Sequence, residues 1–281
     1  MKIKITADST CDLSGELVEK YNVGIMPLSV VLGDRVCRDG VDVTPRNIFD
    51  FVKEKGVLPK TSAPSAEEYV EFFENALKEA DAVIHYNISS LASTSYENAA
   101  YAAKVFKGKV FVVDSLALST GQGLLVLKAC DLAKEGNSPR DIVEITQSLR
   151  GKVNTSFVPD ALDYLHKGGR CSLASLMGAK VLKLHPMIDM KDGKLYAKKK
   201  YMGGLDRCLK NYINDLAQDY RSYDKTRCFI THSCCEPEVV EKVRTQVKET
   251  FEFDEILETV AGSVVTTHCG KNTLGVLFIY D

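Results

Sequence analysis

Two short stretches concentrate hydroxyl groups where helices should begin. Thr61-Ser62-Ala63-Pro64-Ser65 runs into Ala66-Glu67-Glu68-Tyr69, and Ser65 and Glu68 have the Ser-x-x-Glu spacing of a capping box. A helix is therefore expected from Ser65 or just after it. Pro64 presses Ala63 towards an extended conformation, which leaves Thr61 and Ser62 in the turn ahead of that helix. Ser89-Ser90-Leu91-Ala92-Ser93-Thr94 has the same character and follows an apolar run over 82–88. Hydroxyls beside the free N–H groups of helix starts suit an anion. Neither cluster contains Lys or Arg. Such a pocket suits a single carboxylate better than a triphosphate, which usually calls on lysine and Mg²⁺. Taken singly, each cluster is also accounted for by ordinary capping.

Further candidates are scattered. Ser119-Thr120-Gly121-Gln122-Gly123 reads as part of a turn over Ser115 to Gly123, and its Gly-x-Gly is a weak nucleotide signal. His268, in His268-Cys269-Gly270 between two late strands, is read as a loop histidine able to donate to a carboxylate. Gly168-Gly169-Arg170 offers a guanidinium at a helix end. Asp8 and Asp12 flank Ser9-Thr10-Cys11; acid–base or Mg²⁺ work and helix capping both fit them. Lys198-Lys199-Lys200, with Lys191 and Lys194 nearby, forms a basic strip that is either solvated or a dock for an acidic partner. The Gly-x-Ser-x-Gly elbow of many hydrolases is absent, as is the phosphate-binding G-x-x-x-x-G-K-[ST] loop.

The elements needed to place these groups follow from periodicity. Through residue 150 strand and helix signals alternate: strands near 3–8, 23–32, 82–88 and 110–114, and helices begun by Thr44-Pro45, by Ser65 and after Leu124. Arg35 to Arg38 is expected to return as a hairpin after Gly33-Asp34. Such alternation predicts an α/β fold with a mostly parallel sheet covered by helices. In such a sheet the carboxyl ends of the strands share one edge, where ligands bind. If the two hydroxyl clusters are neighbours there, they form one site. From about 151 the pattern changes. A helix over Asp160 to Lys167, another over Leu173 to Val181 and a hairpin turning at Asp192-Gly193 lead to the helix Leu205 to Tyr220. The strand 227–232, the helix 236–251 and the strands 256–260 and 273–280 follow. The expected organisation is an N-terminal α/β domain over 1–150 and a C-terminal α/β domain with a mixed, partly antiparallel sheet over 151–281.

Composition narrows the function classes. The 281 residues carry a formal net charge of −2, with 45 % apolar and 26 % charged residues, as in an ordinary globular protein. Nothing there suggests a nucleic-acid footprint. The start, Met1-Lys2-Ile3-Lys4, lacks the apolar core of a signal peptide, and a cytoplasmic location is expected. Nine scattered cysteines without C-x-x-C spacing argue for thiols and against zinc or a disulfide framework; Cys234-Cys235 is a vicinal pair.

The motifs in order resemble one family. Asp8-Ser9-Thr10-Cys11-Asp12-Leu13 resembles the opening D-S-x-x-D-L of DegV proteins, and Thr61-Ser62-Ala63-Pro64-Ser65 their T-S-x-P-S segment. Ile88 to Tyr96, Val113-Asp114-Ser115 with Ser119 to Gly123, Leu165 to Arg170 and His268 to Gly275 match further blocks. Ala92-Ser93-Thr94-Ser95 departs from the family's usual Leu-Ser-Gly-Thr, so this loop is expected to be stiffer. The resemblance implies two α/β domains with a long-chain fatty acid between them. Its carboxylate would be held by Thr61, Ser62, Ser93 and His268, with Arg170 close by. It also implies a carrier, not an enzyme in its own right, with no cofactor beyond the bound fatty acid. Such a carrier presents the acid to a separate ATP-binding kinase subunit, which makes the acyl phosphate. Lys198, Lys199 and Lys200 are the expected docking strip, and transient membrane contact is compatible with such a role. The competing readings are an enzyme using Ser93 or Cys269 as nucleophile, and a regulatory nucleotide-binding protein built on Gly121-Gln122-Gly123.

Overall fold

The computed structural model describes residues 1–170 and 184–281. The helix expected over Leu173 to Val181 lies outside them. The chain opens with β1 (Ile3–Asp8), a 3-10 turn over Ser9–Cys11 and α1 (Gly15–Lys20). The expected strand 23–32 is two: β2 (Gly24–Met26) and β3 (Ser29–Leu32). Pro27 stands between them and cannot extend a ladder, so the chain leaves one sheet and enters another. β4 (Arg35–Arg38) returns as the hairpin partner of β3. α2 (Pro45–Lys55) starts at Thr44, whose N–H donates to Asn47 Oδ1 at 2.9 Å.

β5 (Lys60–Ser62) comes next, then α3 (Ala66–Leu77). The capping box is present: Ser65 N–H donates to Glu68 Oε2 at 2.7 Å, and Glu68 N–H to Ser65 Oγ at 3.2 Å. β6 (Ala82–Asn87), α4 (Ser95–Ala103) and β7 (Val110–Asp114) complete the first part. The sheet β2-β1-β6-β7 is parallel throughout, and all six residues of β6 are buried, as expected for a strand covered on both faces. The second sheet, β4-β3-β5, is antiparallel.

α5 (Thr120–Lys134) and α6 (Pro139–Leu149) follow. Ser138-Pro139 is a helix-start signal, and α6 begins there, with Ser138 Oγ accepting the Asp141 N–H at 3.3 Å. β8 (Val153–Asn154), β9 (Phe157–Val158) and α7 (Asp163–Lys167) are short. The helix expected from Asp160 thus begins three residues later. β10 (Leu184–Lys191) and β11 (Lys194–Met202) form the hairpin, with Asp192 and Gly193 both at positive φ in its turn. α8 (Leu205–Asp219), β12 (Tyr223–Ser233), α9 (Pro237–Thr250), β13 (Glu255–Val260), α10 (Ser263–Cys269) and β14 (Thr273–Tyr280) complete the order. The third sheet runs β11-β10-β9-β14-β12-β13, with β8 also on β14. Among the described residues of this sheet only β12 and β13 pair in parallel; the other pairs are antiparallel.

The first two sheets draw strands from residues 3–114, and the third from 153–280. Their interiors are continuous. α5 is buried nearly all round and packs on β1 and β6 on one side and on β8 and β14 on the other. Ile5, Tyr86, Leu125, Ile142, Phe229 and Leu277 belong to one apolar cluster.

Candidate functional site

A cavity of about 490 Å³ opens where the three sheets meet. Its apolar wall includes Leu28, Ile88, Leu118, Leu165, Leu195 and Val265. The polar part brings together Thr61, Ser62, Ser93, Arg170 and His268, the five residues singled out in the sequence. A void of about 30 Å³ lies against the same Leu118, Val265 and Cys269 and reaches Phe157, Ala261 and Leu277. The two share Leu118, Val265 and Cys269 in their walls, and Ser119, Thr231, Ser233 and Thr273 also line the smaller one.

Thr61 and Ser62 are not in a turn. They sit on β5, where Thr61 pairs with Val30 and Ser62 with Ser29. Ladder pairing with β3 holds Lys60 to Ser62 extended. The expected shared edge of one parallel sheet is therefore replaced by a meeting of two sheets. Ser93 does lie beyond the carboxyl end of β6, in a tight turn where Ala92 and Ser93 N–H groups donate to Ser89 O. Asn98 Nδ2 donates to Pro64 O at 2.8 Å and ties α4 to the segment after β5. Ser89 Oγ donates to Gly193 O at 2.8 Å, so the β10–β11 turn clasps the loop that carries Ser93. A Cβ on Gly193 would stand 2.6 Å from Ser89 Oγ.

His268 is on a helix, in the last turn of α10, and not in a loop. Its Nε2 meets Thr61 Oγ1 at 2.9 Å. Nδ1 is buried with no hydrogen-bond partner among the described residues. Burial first, and the Arg170 guanidinium second, push its pKa down to about 4, so the ring is neutral at pH 7. Gly168 explains the tight fit: a Cβ there would stand 2.6 Å from His268 Nδ1. Arg170 is exposed, with Nη1 donating to Gly168 O at 2.9 Å. The site thus offers hydroxyls, a neutral imidazole and one guanidinium at its rim.

The rival sites fare differently. Gly121, Gln122 and Gly123 form no loop; they are buried in the first turn of α5. A Cβ on Gly121 would stand 2.6 Å from Thr155 Oγ1, and one on Gly123 2.8 Å from Cys11 O. These glycines allow close packing and leave no room for a nucleotide. Ser93 Oγ pairs with Ser95 Oγ at 2.8 Å, and no histidine bonds to it among the described residues. Lys198 pairs with Asp189 and Asp219, and Lys199 with Asp215, so two charges of the basic strip are neutralised within the protein. Cys235 is buried beside the half-buried Cys234.

Asp8 and Asp12 belong to a closed polar layer. Asp8 accepts from Thr10, Asn87, Gln122 and the Ile88 N–H. Asp12 does not begin a helix; it closes the 3-10 turn at φ 51° and accepts from Ser119 Oγ and the Gly262 N–H. Burial pushes both carboxyls up, Asp12 to about 8. Among the described residues no group of three His, Cys, Asp or Glu is placed to hold a metal ion.

The parallel sheet, the antiparallel sheet and the mixed sheet meet around a cavity of the kind that suits a small ligand. The chain belongs to the DegV family: the family model described as "Uncharacterised protein, DegV family" matches residues 2–281. A DegV domain-containing protein of Caldanaerobacter subterraneus subsp. tengcongensis is 30 % identical over 99 % of this chain and 98 % of its own. A protein of Thermotoga maritima named fatty acid-binding protein is 30 % identical over 98 % of this chain and 96 % of its own. A solved structure, "Fatty Acid Binding of a DegV family Protein from Thermus thermophilus", superposes with a TM-score of 0.90 at 31 % identity, covering 100 % of both chains. Among the described residues no helix is long and apolar enough to cross a membrane.

Proposed function

We propose that this protein holds a long-chain fatty acid between units 1–150 and 151–281, with its carboxylate at Thr61, Ser62, Ser93 and His268 and Arg170 at the rim. The observation that carries the reading is the joining of one hydroxyl-rich end to an apolar cavity of about 490 Å³. Each buried CH₂ contributes about 0.8 kcal/mol, so a 16-carbon chain supplies on the order of 10 kcal/mol before ordering costs. The head group then needs orientation more than affinity. Relatives named for fatty-acid binding support the ligand class.

We further propose that the chain acts as a carrier and presents the acid to a separate ATP-binding kinase subunit. The burial of Gly121-Gln122-Gly123 supports an ATP site elsewhere. Lys200, the member of the lysine run without an ion pair among the described residues, marks the docking face. Extraction of denatured, bacterially produced protein should yield a long-chain fatty acid by mass spectrometry. Protein that is empty and fails to bind palmitate or oleate would sink the ligand reading. For the carrier reading, acyl phosphate should form only with ATP, kinase subunit and loaded protein together, and Lys200→Glu should slow it most at low salt. Turnover by the protein alone would overturn that part.

A further inference from the structure

Asp12 and Asp39 do not line the cavity, yet both reach the first turn of the helix that does. Asp12 Oδ1 accepts the Gly262 N–H at 2.8 Å, and Asp39 Oδ1 accepts the Ser263 N–H at 2.7 Å. Each carboxyl is fixed from behind. Ser119 Oγ donates to Asp12 Oδ2 at 2.5 Å, and Ser9 Oγ donates to Asp39 Oδ2 at 2.8 Å. Ser263 Oγ donates to Val43 O at 3.1 Å. The three bonds made by Gly262 and Ser263 join residues more than 200 positions apart in sequence.

At its other end α10 presents His268 to Thr61, and its Val264, Val265 and Cys269 line the cavity wall. α10 has seven residues, too few to be rigid on its own hydrogen bonds. Whatever grips Gly262 and Ser263 therefore aims the imidazole about 9 Å further along the helix, at about 1.5 Å per residue. Gly262 leaves little slack: a Cβ there would stand 3.0 Å from Asp12 Oδ1 and 3.2 Å from Asp39 Oδ2.

We propose that Asp12 and Asp39 are positioning residues for the head-group site: together they seat α10 and thereby set where His268 stands against Thr61, Ser62 and Ser93. The proposal rests on the fatty-acid reading above. Gly262→Ala tests it without deleting a polar group, and its backbone, at φ −63°, accepts alanine. Asp39→Ala and Asp39→Asn are the companions, the second retaining an acceptor oxygen.

Affinities for palmitate and for hexadecanol, which shares the chain but lacks the carboxylate, are measured on each folded variant. Gly262→Ala and Asp39→Ala are expected to weaken palmitate about tenfold, equivalent to about 1.4 kcal/mol, with hexadecanol changed less than twofold. Asp39→Asn should recover most of the loss. His268 imidazole resonances, read by nitrogen NMR without ligand, should shift in Gly262→Ala and Asp39→Ala. A lowered Tm with an unchanged acid-to-alcohol ratio and unmoved His268 signals overturns the proposal. Should Asp39→Ala fail to fold, Gly262→Ala decides alone. Wild-type protein that binds neither lipid removes the fatty-acid reading, and the His268 signals then decide whether the two carboxyls seat the helix.

Discussion

Two polar regions lie within the same fold and differ in how far they are satisfied. At Asp8 the carboxyl itself is saturated: it is fully buried and accepts from four residues, while Asn87 Oδ1 beside it has no partner among the described residues. The part of the cavity lined by Thr61, Ser62, Ser93 and His268 is open. Ser62 is exposed and bonds only weakly to the next carbonyl at 3.3 Å, Ser93 bonds its neighbour Ser95, and His268 keeps one nitrogen unpaired among the described residues. A saturated buried carboxyl stabilises the fold; spare hydrogen-bonding capacity beside a cavity is what a ligand can use.

Mutation should separate the two. Asp8→Ala strands several buried donors at once and should lower unfolding free energy by about 4 kcal/mol in denaturant titration. Thr61→Val with Ser93→Ala should instead cost about 2 kcal/mol of palmitate affinity by calorimetry while moving stability by less than about 1 kcal/mol. Equal losses of stability in both variants would erase the contrast.

The pH dependence of stability sharpens it further. Asp12 is pushed up to about 8 from 3.8, so between those values the folded chain holds a proton that the unfolded chain has lost. That contribution to stability falls as pH rises, by at most about 1.4 kcal/mol per pH unit for one proton. His85 and His268, lowered from 6.5 to about 3 and about 4 by burial, act oppositely, and their gain is complete near pH 6.5. Thermal unfolding should therefore show Tm falling from pH 6.5 to 8, with a shallower fall in Asp12→Asn. The smallest effect concerns the small void beside the cavity. Ala261→Leu should fill the void of about 30 Å³ and reduce preference for longer chains by about 0.8 kcal/mol per excluded methylene, read from a C12–C18 binding series.

Local chemistry was legible in the sequence wherever a side chain acts on its own neighbours. The Ser65–Glu68 box, the Thr44-Pro45 start and the Asp192-Gly193 turn stand where spacing puts them. The candidate residues Thr61, Ser62, Ser93, Arg170 and His268 do meet in one cavity. Tertiary packing decided the rest. Gly121 and Gly123 suggest a loop by propensity, yet they are the price of bringing a helix against Thr155 and Cys11. Ser263–Cys269 carries valines, threonines and a histidine with little helical propensity, and it is held helical by its surroundings. The lysine run looked free because its acids, Asp189, Asp215 and Asp219, come from other positions in the chain.

The Thr61–His268 bond spans 207 positions of sequence, and β14, drawn from residues 273–280, sits between β9 and β12 in the middle of its sheet. During synthesis, then, the Thr61–His268 pairing cannot form until the ribosome has released these late segments. Under the fatty-acid reading proposed above, lipid would be acquired only on completion, and a nascent or clipped chain would stay empty.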